Sequence, residues 1–259
     1  MTDTPPIEAS PIPEIGQVTL HEIWSALKAG AHDFRRAPAY GLFFSAFYVL
    51  VGAVLILIDA GTFVWTLVLS LGFPLVAPFA AVGLYEVSRR LEADIPLVWR
   101  DILGVVFAEK DRQMPWMGVI ILLVFLFWSF FAHMLFALFM GLSTLTNISS
   151  SYEALLTPTG LTMMGMQVVV GAAVAFLVFA ATVVSLPLLL EKEIDFVTAM
   201  LTSFRAVGQN LGVMLIWAAV IAGLLFLGMV PLFLGLLVVL PILGHATWHV
   251  YRRTLYHPI

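Results

Sequence analysis

The sequence predicts an all-α integral membrane protein with six transmembrane helices, in three repeats of a cytoplasmic interfacial amphipathic helix plus a transmembrane hairpin. Three observations carry this. The 259-residue chain is 61% hydrophobic and 11% charged, with a mean hydropathy of +1.04. Soluble domains are nearer half apolar and a quarter charged, so the solvent for this surface must be lipid. Six stretches reach the roughly 20 mostly apolar residues that a span needs, at about 39–58, 62–85, 115–142, 160–189, 211–229 and 231–251. The 12 Lys and Arg residues fall only before the first span, between the second and third, between the fourth and fifth, and after the sixth. Cations stay on the cytoplasmic side, which places both termini there.

Taken in order, the N-terminus MTDTPPIEASPIPEIGQ is polar, acidic and proline-rich, without a basic n-region or a short apolar core. Residues 1–17 are expected to be a disordered cytoplasmic tail. Leu20, Ile23, Trp24, Leu27, Ala31 and Phe34 then recur at helical spacing, with Glu22, Ser25, Lys28, His32 and Arg36 opposite. That is an amphipathic helix suited to a membrane surface. Ile95, Val98, Trp99, Ile102 and Val106 form a second such stripe before the third span. Val197, Met200, Leu201 and Phe204 form a third before the fifth. Glu109-Lys110-Asp111-Arg112 reads as a wet surface run. The third and fourth spans are joined by the longest outer connection, a Ser/Thr-rich segment from Ser143. Only Gly228 and Pro231 separate the fifth span from the sixth. A five-span count would put Arg252 and Arg253 on the wrong side, so the charges support the split. Residues 255–259 are a short cytoplasmic tail.

The membrane domain, 18–254, divides into repeats of about 18–90, 95–190 and 194–254. PFAAVGLYEVSRR from Pro78 and PILGHATWHVYRR from Pro241 share their spacing, with Tyr85 matching Trp248 and Arg89-Arg90 matching Arg252-Arg253. The middle copy, Pro187 followed by LLLEKEID, is looser. Pro74, Pro78, Pro187 and Pro241 all lie in even-numbered spans, where each removes a backbone bond and tends to kink the helix. Counting from the prolines, His249 takes the place of Glu86 and Asp195, and His245 that of Val82 and Glu191. Glu86, Glu191, Asp195, His245 and His249 are therefore a candidate cytoplasmic vestibule, because ionisable groups near the membrane are costly and default to function. The alternative is that they are solvated helix ends paired with Arg89, Lys192 or Arg252.

Several chemistries are excluded or unsupported. The absence of cysteine removes disulfides, thiolate catalysis and iron–sulfur clusters. No phosphate loop, dinucleotide fingerprint, nucleophile elbow or zinc-protease helix occurs. His245 and His249 share one helix face at i, i+4, His133 stands alone in the third span, and Met163, Met164 and Met166 fit packing better than a soft copper site. No catalytic residue, metal site or cofactor is expected. The cations lie along membrane-bound helices, which points to lipid and not to nucleic acid.

SLPLLLEKEIDFVTAMLTSFRAVGQN from Ser185, LGHATWHVYRR from Leu243 and PFAAVGLYEVSRRLE from Pro78 resemble the bacterial "predicted integral membrane protein" family of unknown function. The resemblance spans most of the chain after the tail. Some members carry the label cytochrome c oxidase subunit I. It implies a multi-pass protein of the bacterial inner (cytoplasmic) membrane and names no activity. An oxidase core needs several intramembrane histidines for haem and copper, which the six histidines here do not supply. The expected function is a non-enzymatic accessory, assembly or envelope-organising factor whose partners are membrane lipid and other membrane proteins. The alternatives are a small-solute transporter or channel with pseudo-threefold repeats, and an accessory subunit of a respiratory complex.

Overall fold

The computed structural model describes residues 13–57, 63–141 and 155–256, without the side chains of 52 and 55–76. Residues 1–12, 58–62, 142–154 and 257–259 lie outside this set, together with what was expected of them. Among the described residues the chain is helical, with no strand.

The helices run α1 Leu20–Arg36, α2 Pro38–Leu57, α3 Phe63–Glu92, α4 Trp99–Ala108, α5 Met114–Met140, α6 Pro158–Thr182, α7 Ser185–Glu191, α8 Phe196–Gln209, α9 Leu211–Met229 and α10 Leu236–Leu255. A short amphipathic helix thus precedes two apolar ones three times. Each transition has a local cause. Thr19 and Glu22 form a reciprocal capping box that starts α1. Pro38 disfavours helical geometry at Ala37 and ends α1 there. Asp195 accepts from the Thr198 N–H at 2.9 Å and starts α8.

Three helices are long and apolar enough to cross a membrane among the described residues: Met114–Met140, Pro158–Glu191 and Leu211–Met229. Pro38–Val51 is apolar but shorter. The expected sixth span begins late, because residues 230–235 are turn and α10 starts at Leu236. Only nine residues then precede His245.

That turn contains no polar side chain from Val230 to Leu234. Leu232 and Phe233 take left-handed φ values of 51° and 65°, a strained choice for bulky residues. Gly228 and Gly235 make it feasible, since a Cβ on Gly235 would meet the Gly228 backbone at 2.7 Å. The N–H groups of Phe233, Leu234, Leu236 and Leu237 all find carbonyls within the turn.

Packing is cyclic. The last helix of each group lies against the short helix and first apolar helix of the next: α3 on α4 and α5, α6 with α7 on α8 and α9, and α10 on α1 and α2. The helices α3, α7 and α10 also touch one another. The closest contact is α1 on α10. A Cβ on Gly30 would meet Ala246 N at 2.5 Å and Ile242 O at 2.6 Å. The buried line of α1 is Ile23, Ala26, Gly30 and Asp33, while Leu20 and Trp24 of the apolar stripe stay exposed. Residues 13–17, expected within the disordered tail, are extended and anchored. Gly16 donates to the Thr254 carbonyl at 2.7 Å, and Asn210, at the α8–α9 elbow, bonds the Val18 N–H and the Gly16 carbonyl.

Of the four span prolines, only Pro187 coincides with a helix break. It lacks the N–H that would reach the Val183 carbonyl and its ring crowds that group. The chain turns at Val183–Val184, and buried Ser203 of α8 closes the gap: it accepts from the Val184 N–H at 3.2 Å and donates to the Ala180 carbonyl at 2.7 Å. α3 continues through Pro74 and Pro78, and α10 through Pro241. The Ser45 hydroxyl of α2 lies 2.8 Å from the Gly41 carbonyl and 3.2 Å from that of Leu237, the group that Pro241 leaves short of a donor.

Candidate functional site

The charged ends of α3, α7 and α10 meet beside the end of α1, and the ionisable side chains there sort into connected sets. Glu86 is fully buried. It accepts from Arg89 at 2.7 and 2.9 Å and from Arg90 at 2.7 Å, pairs that helical i, i+3 and i, i+4 spacing brings together. Arg90 also reaches Asp101 of α4 at 3.5 Å. Glu191 of α7 accepts from the Tyr251 hydroxyl and from Arg252 at 3.3 Å. Arg252 reaches Glu92 at 3.1 Å, and Glu92 accepts from the Trp248 indole at 2.9 Å. Trp248 and Tyr251 are both buried, with their polar tips satisfied by these carboxylates.

His245 and His249 are joined by two residues that sequence reasoning missed. Asp33 Oδ2 lies 2.8 Å from His249 Nε2 and accepts from Ser88 Oγ at 2.8 Å. Ser88 Oγ is 2.8 Å from His245 Nδ1. Ser88 and His245 are completely buried, and His245 Nε2 has no partner. Burial pushes the Asp33 carboxyl up, but the hydrogen bonds from His249 and Ser88 outweigh it and hold the carboxyl below the usual carboxylate range. The missed signal was the small-residue line Ala26–Gly30 leading to Asp33 on one helical face. Small residues admit a neighbouring backbone, and a carboxylate in the same line must then be buried with partners.

Of the five candidate vestibule residues, the structure brings Glu86, Glu191, His245 and His249 to neighbouring positions and leaves Asp195 apart. Asp195 is exposed and caps α8, and hydrogen bonds from Thr198 hold its carboxyl low. The Glu109–Arg112 run is not wholly wet, as had been expected. Glu109 is buried and takes Arg112 at 2.5 Å, and the same guanidinium reaches Glu193 at 2.6 Å. Burial pushes the Glu109 carboxyl up, only partly offset by Arg112. This bridge ties the α4–α5 elbow to the α7–α8 link. His133 lies 2.7 Å from the Ser129 carbonyl. Among the described residues no group of three or more His, Asp or Glu side chains is arranged to hold a metal ion.

No curated protein and no solved structure matches the chain. A family model described as "Predicted integral membrane protein (DUF2189)" matches residues 65–191, from α3 to the end of α7. This stretch includes Glu86, Ser88, Glu92 and Glu191 and ends before α8, so the α10 half of the site lies outside it. Over residues 65–191 the chain is similar to this family of predicted integral membrane proteins of unknown function.

Proposed function

We propose that the protein spans a bacterial inner membrane six times with both termini in the cytoplasm, and that it acts without catalysis as an accessory, assembly or envelope-organising factor. The observation that carries this reading is that every carboxylate of the candidate vestibule already has partners within the chain. Glu86 is closed by Arg89 and Arg90, Glu191 by Tyr251 and Arg252, and Asp195 serves a helix end. Carboxylates engaged this way brace helices and are not free to bind a solute. The short helices meanwhile keep Leu20, Trp24, Val98, Trp99, Val197 and Leu201 exposed, a rim of the kind that lies in a membrane surface. Three groups of one short and two apolar helices, packed cyclically, support the three-repeat, six-span arrangement.

The test is purification at native expression level in mild detergent. A membrane protein or retained phospholipid in constant ratio to the chain is the expected result. Recovery with neither would count strongly against this role. One observation favours a transporter instead: α3, α7 and α10 meet, each carries a proline, and ionisable groups gather at one end of them. Reconstituted protein would then carry solute across vesicle membranes, with flux lost in Glu86→Gln. Flux that survives this substitution removes the vestibule from the path.

A further inference from the structure

Two histidines one turn apart on α10 face a single carboxylate from another helix. His249 reaches Asp33 directly, and His245 reaches it through Ser88, each step 2.8 Å. The carboxylate is scarcely exposed and Ser88 and His245 are not exposed at all, whereas the His249 side chain keeps 16% of its surface. Besides Asp33, α1 carries His21, Lys28, His32, Arg35 and Arg36, all exposed, and most charges on the other packed elements have partners. On α3, Glu86 holds Arg89 and Arg90, and Glu92 holds Arg252. On α7, Glu191 takes Tyr251 and Arg252. On α10, Arg253 bonds the His249 carbonyl at 3.1 Å. The helices α2 and α9 carry no charged residue. On α1, Glu22 closes the capping box. A buried carboxylate without a cation is expensive, and two buried cations against one carboxylate are equally so.

We propose that Asp33, Ser88, His245 and His249 form a binding site for one proton, with Asp33 as the shared countercharge of the two rings. The hydrogen bonds set where the proton sits. Ser88 has one hydroxyl proton and gives it to Asp33, so it accepts from His245 Nδ1–H. That leaves His245 neutral with Nε2 bare. His249 donates its Nε2–H to Asp33 and takes the bound proton at Nδ1, on a side chain that keeps 16% of its surface. The occupied site is an ion pair between α10 and α1, so the proton also fastens α1 to the bundle. Once His249 holds it, a second proton on His245 would add a buried cation without a counterion.

The test is nitrogen-15 NMR of the histidine rings in the full-length protein in lipid nanodiscs, titrated from about pH 8 to 5, the range in which histidine changes charge. Loss of one signal in His245→Gln or His249→Gln assigns each ring. In the wild type His249 is expected to become doubly protonated while His245 stays singly protonated on Nδ1. In His249→Gln the proton is expected to move, and His245 gains the doubly protonated signal. In Asp33→Asn the His249 imidazolium signal is expected to be weaker than in the wild type at the same pH, and an unchanged signal would overturn the proposal. Two doubly protonated rings in the wild type would overturn the proposal, as would a His245 that remains singly protonated throughout in His249→Gln. If Asp33→Asn does not fold, the wild-type spectrum, assigned from the two histidine variants, decides by itself.

Discussion

Glu86 and Asp195 occupy matching positions in two repeats, yet their surroundings give them different weights. Removing the Glu86 carboxylate leaves the largely buried Arg90 with only Asp101 and the Pro96 carbonyl, while the more exposed Arg89 can turn to water. Breaking a buried ion pair in this way costs about 3 kcal/mol or more. Asp195→Ala loses one helix cap, worth about 1 kcal/mol. Thermal melting of the detergent-solubilised variants should show Glu86→Ala clearly lower than Asp195→Ala. Equal losses would show that burial of Glu86 does not matter. Asp33 makes a separate prediction through pH. Its folded-state carboxyl sits below the unfolded value of 3.8. Its contribution to stability is therefore fully present above that value and is lost as pH falls through the lowered folded value. Asp33→Asn should flatten this acid limb of a stability–pH profile, and an unchanged limb would contradict the pairing.

At the scale of elements, the α1–α10 contact depends on one missing side chain. Gly30→Ala would press a methyl group against the Ala246 and Ile242 backbone, which cannot move without displacing α10. Overpacking of this kind costs about 1–3 kcal/mol. Gly104 on α4 has nothing within 4 Å of an added Cβ, so Gly104→Ala should be neutral or slightly stabilising through helix propensity. Melting temperatures of the pair decide it. If both glycines tolerate alanine, α1 is not held against α10 at this point. The 3.6-residue period placed a helix over α1 with an apolar stripe suited to a membrane surface, and Leu20 and Trp24 of that stripe stay exposed. The face that packs on α10 was not legible, because tight backbone approach selects the small residues Ala26 and Gly30.

Across the whole molecule, the absence of native cysteine makes topology directly measurable with single introduced thiols and a membrane-impermeant maleimide. In the six-span arrangement Ser150→Cys is labelled from outside intact spheroplasts, and Lys110→Cys only after permeabilisation. Labelling of both from the same side would rule that arrangement out. Leu232→Cys should resist labelling on either side, since its turn is entirely apolar and meets most of its backbone hydrogen bonds internally, as hydrocarbon requires.

Composition and periodicity alone determined that this chain is helical, that lipid is its solvent, and that amphipathic stretches separate its apolar ones. These follow from local and summed properties, which do not depend on which helix neighbours which. The prolines were visible, but whether each would break its helix was not. Pro187 does so where Ser203 can satisfy the opened backbone, and Pro241 does not. The acidic and histidine positions were legible as a set, yet their partners were not. Asp33 lies more than 200 residues from His249 in sequence, and only the cyclic closure of α10 onto α1 joins them. The tertiary structure therefore decided which charges are spent on one another, because pairing in a low-dielectric interior depends on distances of a few ångströms that no sequence spacing encodes.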